Sequence, residues 1–209
     1  MSGINKRGKF IVFEGIDGSG KSTQAKLLEE YLISRGEKCI FTLEPTYNRI
    51  GDFLHKILSG DEKADPRVIA ALFAADRLEH VLNTSDGIMK HLADGSFVIC
   101  DRYYLSSFAY QGTEVPLEWV IALNSECRKA LNPDLTIFVD TSPEISLKRI
   151  QDGRESFEIY ENLSRLTSVR ENYLSLIERF KNEENILSLD GCRDRDEIFE
   201  DIKKAVSDL

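Results

Sequence analysis

The chain has 209 residues, 27 of them basic and 36 acidic, for a net charge of −9. That length fits one domain, 1–209, whose core needs no disulfide or metal staple, and 42% hydrophobic with 30% charged residues excludes a disordered chain. The acidic balance argues against a nucleic-acid partner, whose phosphate backbone calls for clustered Lys and Arg, and no run of about 18 apolar residues exists to enter a membrane.

Met1-Ser2-Gly3-Ile4-Asn5-Lys6-Arg7 is polar, without the apolar core of a signal peptide, and leads into a first β-like run, Phe10–Glu14. Ser22–Arg35 follows with helical periodicity (Ala25, Leu28, Leu32) and stops at Gly36, a common position just past a helix end. A second strand is predicted at Lys38–Leu43, then a helix with Ile50, Phe53, Leu54, Ile57 and Leu58 on one face before Gly60. Asp65-Pro66 reads as an N-cap followed by Pro at the first helical position, opening Pro66–Leu82. A helix over Ser85–Ala93 and a strand at Phe97–Cys100 come next. Pro116–Ala130 is predicted as one helix, Leu135–Val139 as a strand, and Ser142-Pro143-Glu144 as a capped helix start. Leu163–Lys181, the strand Asn185–Leu189 and Asp194–Ser207 complete the chain. The strands are near-continuously apolar, as strands buried on both faces are. Strand–helix alternation predicts an α/β fold, a five-stranded parallel sheet between two helical layers.

Cys39, Cys100, Cys127 and Cys192 form no C-x-x-C pair, and His55, His80 and His91 have no partner at ligand spacing. Both sets read as structural, and free thiols predict a reducing, cytoplasmic location.

Gly15-Ile16-Asp17-Gly18-Ser19-Gly20-Lys21-Ser22 matches G-x-x-x-x-G-K-[ST] between a predicted strand and a predicted helix. The glycines let successive backbone N–H groups turn inward around an anion, and the helix that follows aims its positive end at the same place. Lys21 can reach the outer phosphates of a nucleoside triphosphate, and the Ser22 hydroxyl can ligate Mg²⁺. No N-K-x-D guanine signal and no transporter signature accompany the loop, which leaves a kinase of small substrates. Asp101-Arg102-Tyr103 emerges after a core strand, at the carboxyl edge where open α/β sheets bind ligands. An acid there can hold Mg²⁺ or its water shell, and an Arg can bridge phosphates bidentately.

Four blocks together resemble the thymidylate kinase family: Phe13–Thr23, Glu44-Pro45-Thr46, Leu72–Arg77 and Asp101–Gln111. The resemblance runs over essentially the whole chain. It implies a three-layer P-loop kinase fold with a short lid, ATP and Mg²⁺ as cofactors, dTMP as acceptor and a homodimer. It makes Gly15, Ile16, Asp17, Gly18, Ser19, Gly20, Lys21, Ser22 and Thr23 the ATP cradle, with Ser22 and Asp101 on the metal. Phe73 falls where the family stacks a ring on thymine, although spacing alone reads it as core. Arg77, one turn on, falls where the acceptor phosphate and base edge are bound. Arg102 corresponds to the contact with both acceptor and transferred phosphates, Ser107 and Gln111 to the thymine edge, and Tyr110 to a ring where a 2′-hydroxyl would clash. Asp17 matches the acid on the sugar 3′-hydroxyl, and Glu44 belongs with the acceptor side. Leu43 stands where many relatives carry an acceptor-binding Arg, for which Arg49 is the substitute in reach.

Relatives deliver the transition-state cation either from the phosphate loop or from a lid. Gly18 leaves the task to the lid, expected at 148–158, with Arg154 as the catalytic charge and Arg149 packing against adenine or phosphate. By the same logic an Arg placed at position 18 should partly replace Arg154. An adenylate kinase is disfavoured because Pro is missing before the second loop glycine. The nearest rival is a deoxynucleoside kinase, which usually shows Glu-Arg-Ser where this chain has Asp101-Arg102-Tyr103. A rival of another class is a regulator that binds nucleotide without catalysis, against which Lys21, Ser22, Asp101 and the lid arginines all stand intact.

Overall fold

Phe10, Ile11, Val12 and Phe13 are all buried because successive side chains of their strand enter two different helical layers. The computed structural model describes residues 7–152 and 159–209. Among them, β1 (Phe10–Glu14), β2 (Cys39–Leu43), β3 (Phe97–Asp101), β4 (Leu135–Asp140) and β5 (Ile186–Asp190) form a parallel sheet in the order β2-β3-β1-β4-β5. Ile11, Phe13, Ile99 and Ile137 pack against α1 (Lys21–Ser34) and α10 (Arg195–Ser207) through Ala25, Leu28, Leu32, Ile198 and Ile202. Phe10, Val12, Val98, Cys100 and Phe138 face the other layer. That layer includes α3 (Pro66–Leu82), α4 (Ile88–Ala93), α5 (Tyr104–Tyr110), α6 (Leu117–Leu123), α7 (Ser125–Ala130) and α9 (Ile159–Phe180). α2 (Arg49–Leu58) packs on α3, and α8 (Pro143–Asp152) on α9.

The α/β architecture and all five strands match the sequence expectation, with ends displaced by a residue. The helix at Pro66–Leu82 starts and stops where its signals place it, with the Asp65 carboxylate accepting from the Arg67 N–H at 2.9 Å. Three expectations are corrected. Pro116–Ala130 is two helices broken at Asn124, whose side chain turns inward to donate to the Val120 carbonyl at 2.9 Å. The segment from Ser85 turns before α4 starts at Ile88, because the Asn83 Oδ1 accepts from the Ser85 and Asp86 N–H groups. Lys148–Asp152, expected in the lid, continues α8; Arg154 lies outside the described residues. No helix among the described residues is long and apolar enough to cross a membrane.

Candidate active site

The turns after β1 and β3 meet beside the strand order's reversal and enclose a cavity of about 740 Å³. Asp17, Gly18, Lys21 and Ser22 of the Gly15–Ser22 loop line it. Gly20 stands at the N-cap of α1 at φ 96° and offers no side chain to cap it, and the Lys21 N–H makes only a long contact to Ser19 Oγ at 3.4 Å, so the helix start suits an anion. Ile16 and Ser19 are buried, and Ser22 and Thr23 are exposed at the helix start. Lys21 is buried with its Nζ 4.0 Å from Asp101 Oδ1. Burial, reinforced by Arg102, lowers its ammonium to about 8 against the pull of Asp101 and Asp17.

The Ser22 hydroxyl donates to Asp101 Oδ2, joining the loop to the end of β3. Asp101 Oδ1 is buried without a hydrogen-bond partner among the described residues. Two hard oxygen groups side by side, one with an unused lone pair, fit a Mg²⁺ ion.

Arg102 adopts φ 75°, a left-handed conformation rare for a residue with a Cβ. Its N–H donates to the Phe13 carbonyl at 2.9 Å, which ties the turn to β1. The guanidinium reaches Asp17 Oδ1 at 2.6 Å, Ser106 Oγ at 3.0 Å and Tyr110 Oη at 3.2 Å. It also lies 4.8 Å from the centre of the Tyr110 ring. Desolvation raises the Asp17 carboxyl, but Arg102 and Lys21 outweigh it and bring it down to about 2. Burial pushes the Tyr110 hydroxyl up to about 12, so it stays protonated and donates to Asp17 Oδ2 at 3.1 Å.

Phe73 also lines the cavity, half-buried, and Gln111 Oε1 is buried with no partner among the described residues. A flat ring and an unsatisfied amide oxygen suit a planar base with a donor edge. Arg77 is 1% exposed, and its guanidinium is largely occupied within the protein. It donates to Glu44 at 2.7 Å, Ser107 at 3.0 Å, Asn124 at 2.5 Å and the Tyr103 carbonyl at 3.2 Å. Glu44 and Ser107 therefore meet the cavity as the frame that holds Arg77. Arg149 donates to the carbonyls of Ser19 (3.1 Å) and Gly191 (3.0 Å), stitching the phosphate loop to the turn after β5.

Arg49 is exposed at the first turn of α2 and is not among the residues that line the cavity. Arg165 of α9 does line it, 3.7 Å from Glu114 at the rim. His80, read as structural, has its Nδ1 3.1 Å from Glu44 and its Nε2 2.7 Å from the Thr42 hydroxyl. Donor atoms of Glu44, His80 and Cys100 lie within 4.8 Å of one another. Each already has a protein partner, the Cys100 thiol donating to the Arg102 carbonyl at 3.0 Å, so the three form a closed network. Glu14, Ser106 and Tyr173 went unnoticed in the sequence, although Glu14 carried a signal, an acid ending an otherwise apolar buried strand.

The profile of the thymidylate kinase family matches residues 13–202. The chain belongs to the thymidylate kinase family. It is 40% identical over 207 residues to a thymidylate kinase of Caldicellulosiruptor saccharolyticus, covering 97% of this chain and 98% of the relative. A thymidylate kinase of Ligilactobacillus salivarius is likewise 40% identical, over 93% of this chain and 95% of its own. Family membership accounts for phosphate-loop residues and the half-buried Phe73 ring lining one cavity. It also makes the chain a phosphotransferase.

Proposed function

We propose that the chain transfers the γ-phosphoryl group of ATP to the phosphate of dTMP, with the cavity residues dividing the work as follows. The observation that carries this reading is a single cavity lined by Lys21, Ser22 and Arg102 together with Phe73 and Gln111, with Ser22 bonded to Asp101. The loop N–H groups and Lys21 hold the triphosphate. Arg102 bridges it to the acceptor phosphate, and Asp17 and Tyr110 hold the sugar. Ser22 and Asp101 hold Mg²⁺, which when bound neutralises phosphate charge.

The acceptor is already an oxyanion, so no general base is required. Catalysis consists of aligning two phosphates that repel each other and neutralising the charge that spreads over the transferred group. Phe73 stacks on the base, and Arg77, held by Glu44, Ser107 and Asn124, presents a fixed positive edge to its carbonyls. Arg149 supports the adenine side, and Arg154 supplies the transition-state cation. The chain acts as a homodimer, supported by the exposed apolar side chains of Val68 on α3 and Trp119 on α6.

Incubation with ATP, Mg²⁺ and dTMP, followed by ³¹P NMR, tests the reading. Equal amounts of dTDP and ADP are expected. ATP hydrolysis without dTDP contradicts it.

A further inference from the structure

Three of the contacts that hold the Arg102 guanidinium differ in one respect. Asp17 and Tyr110 face the sugar in the function proposed above, so a bound substrate competes for them. Ser106 also lines the cavity, but it is buried and its hydroxyl is engaged inside the protein. Its Oγ accepts from Arg102 Nη1 at 3.0 Å and lies 2.5 Å from Glu14 Oε2 and 2.7 Å from Tyr173 Oη. Tyr173 also donates to Glu14 Oε2 at 2.8 Å, and both Glu14 and Tyr173 are fully buried.

Glu14 does more than hold one hydroxyl. The first turn of α5 has no side-chain cap of its own, since Tyr103 stands at the N-cap. Glu14 Oε1 accepts instead from the N–H groups of Tyr103 (2.9 Å) and Ser106 (3.2 Å). One carboxyl at the end of β1 thus caps the helix after β3 and anchors the hydroxyl that meets Arg102. Burial raises the Glu14 carboxyl, opposed by its Ser106 hydrogen bond and the nearby Arg102 charge. Satisfying that carboxyl takes all four donors, and a polar group buried here without them would be costly.

We infer that Ser106, anchored on Glu14 and Tyr173, is the positioning residue that keeps the Arg102 guanidinium aimed at the phosphates once substrate has taken Asp17 and Tyr110. This rests on the proposed dTMP kinase activity. Turnover of dTMP by the unaltered enzyme is therefore measured first, and its absence defeats that activity rather than the positioning role.

The test is a double-mutant cycle between Ser106→Ala and Arg102→Lys, the latter keeping the charge but not the fork that reaches Ser106. Small misplacements of a positioning group can cost about 10²-fold in rate, so Ser106→Ala should lower kcat at least about tenfold. The KM for ATP should stay within about twofold, since uniform binding is untouched. In the Arg102→Lys background the same Ser106 change should alter kcat by less than about twofold, because the contact is already gone. An equal loss in both backgrounds, or an unchanged kcat in folded Ser106→Ala, overturns the inference. If Ser106→Ala fails to fold, Tyr173→Phe takes its place in the cycle with the same two criteria.

Discussion

The backbone oxygen of Ser146 in α8 lies 2.4 Å from the point where a Cβ on Gly18 would stand, and Ile150 Cγ1 lies 3.0 Å from it. Gly18 is also at φ 77°, where a side chain is strained whatever the space. α8 therefore roofs the loop position considered above as the alternative source of the cation. Gly18→Arg should not restore activity to Arg154→Ala, contrary to the simplest exchange of one charge source for another. The left-handed backbone alone should make Gly18→Ala less stable by about 1–2 kcal/mol. Thermal melts and turnover of the double variant check both points.

Arg154→Ala should lower kcat by about 10³–10⁵, the range of an arginine that acts mainly in the transition state. Binding of dTMP, followed by calorimetry, should change little. Arg149 already bonds two carbonyls and is placed to support rather than to supply that charge. A rise in the KM for ATP alone would move the catalytic assignment to Arg149.

Lys21 must be cationic to meet phosphate, and its ammonium sits at about 8 in the free enzyme. Raising the pH through 8 removes that charge, so kcat/KM for ATP should fall on the alkaline side with a midpoint near 8. Bound triphosphate favours the charged form, which should shift the limb in kcat to higher pH. Lys21→Ala should abolish transfer and leave the melting curve intact, since no apolar core volume is lost.

Tyr110 offers two separable contributions, a ring and a hydroxyl. Tyr110→Ala should relax discrimination between dTMP and its ribose counterpart by removing the ring from the 2′ space. Tyr110→Phe should keep that discrimination and raise the KM for dTMP, because the ring remains and only the hydroxyl proposed to hold the sugar is lost. Relative kcat/KM values for the two acceptors decide it.

Much of the frame is legible in the chain because its signals are local. Asp65-Pro66 caps and starts α3 by itself, and apolar runs mark every strand. The phosphate loop is one contiguous motif between strand and helix. What escapes is set by distant partners. α5, Tyr-Leu-Ser-Ser-Phe-Ala-Tyr, shows no helical periodicity because six of its seven residues are buried, and its cap comes from Glu14 in β1. The break at Asn124 depends on an inward side chain that bonds Arg77 from α3. The left-handed turn at Arg102 carries no glycine to announce it. Spacing could suggest Arg77 beside Phe73, but not that Glu44 and Ser107 would hold its guanidinium.

Acceptor choice is the most direct test of the proposed activity, measured as kcat/KM for ADP release with dTMP, dUMP, thymidine, CMP and AMP under saturating ATP and Mg²⁺. The highest value is expected for dTMP. A reduced one is expected for dUMP, since one methyl in an apolar pocket is worth about 1–3 kcal/mol. Thymidine, which brings no phosphate to Arg102, should give none. Turnover of thymidine at or above that of dTMP would contradict the account.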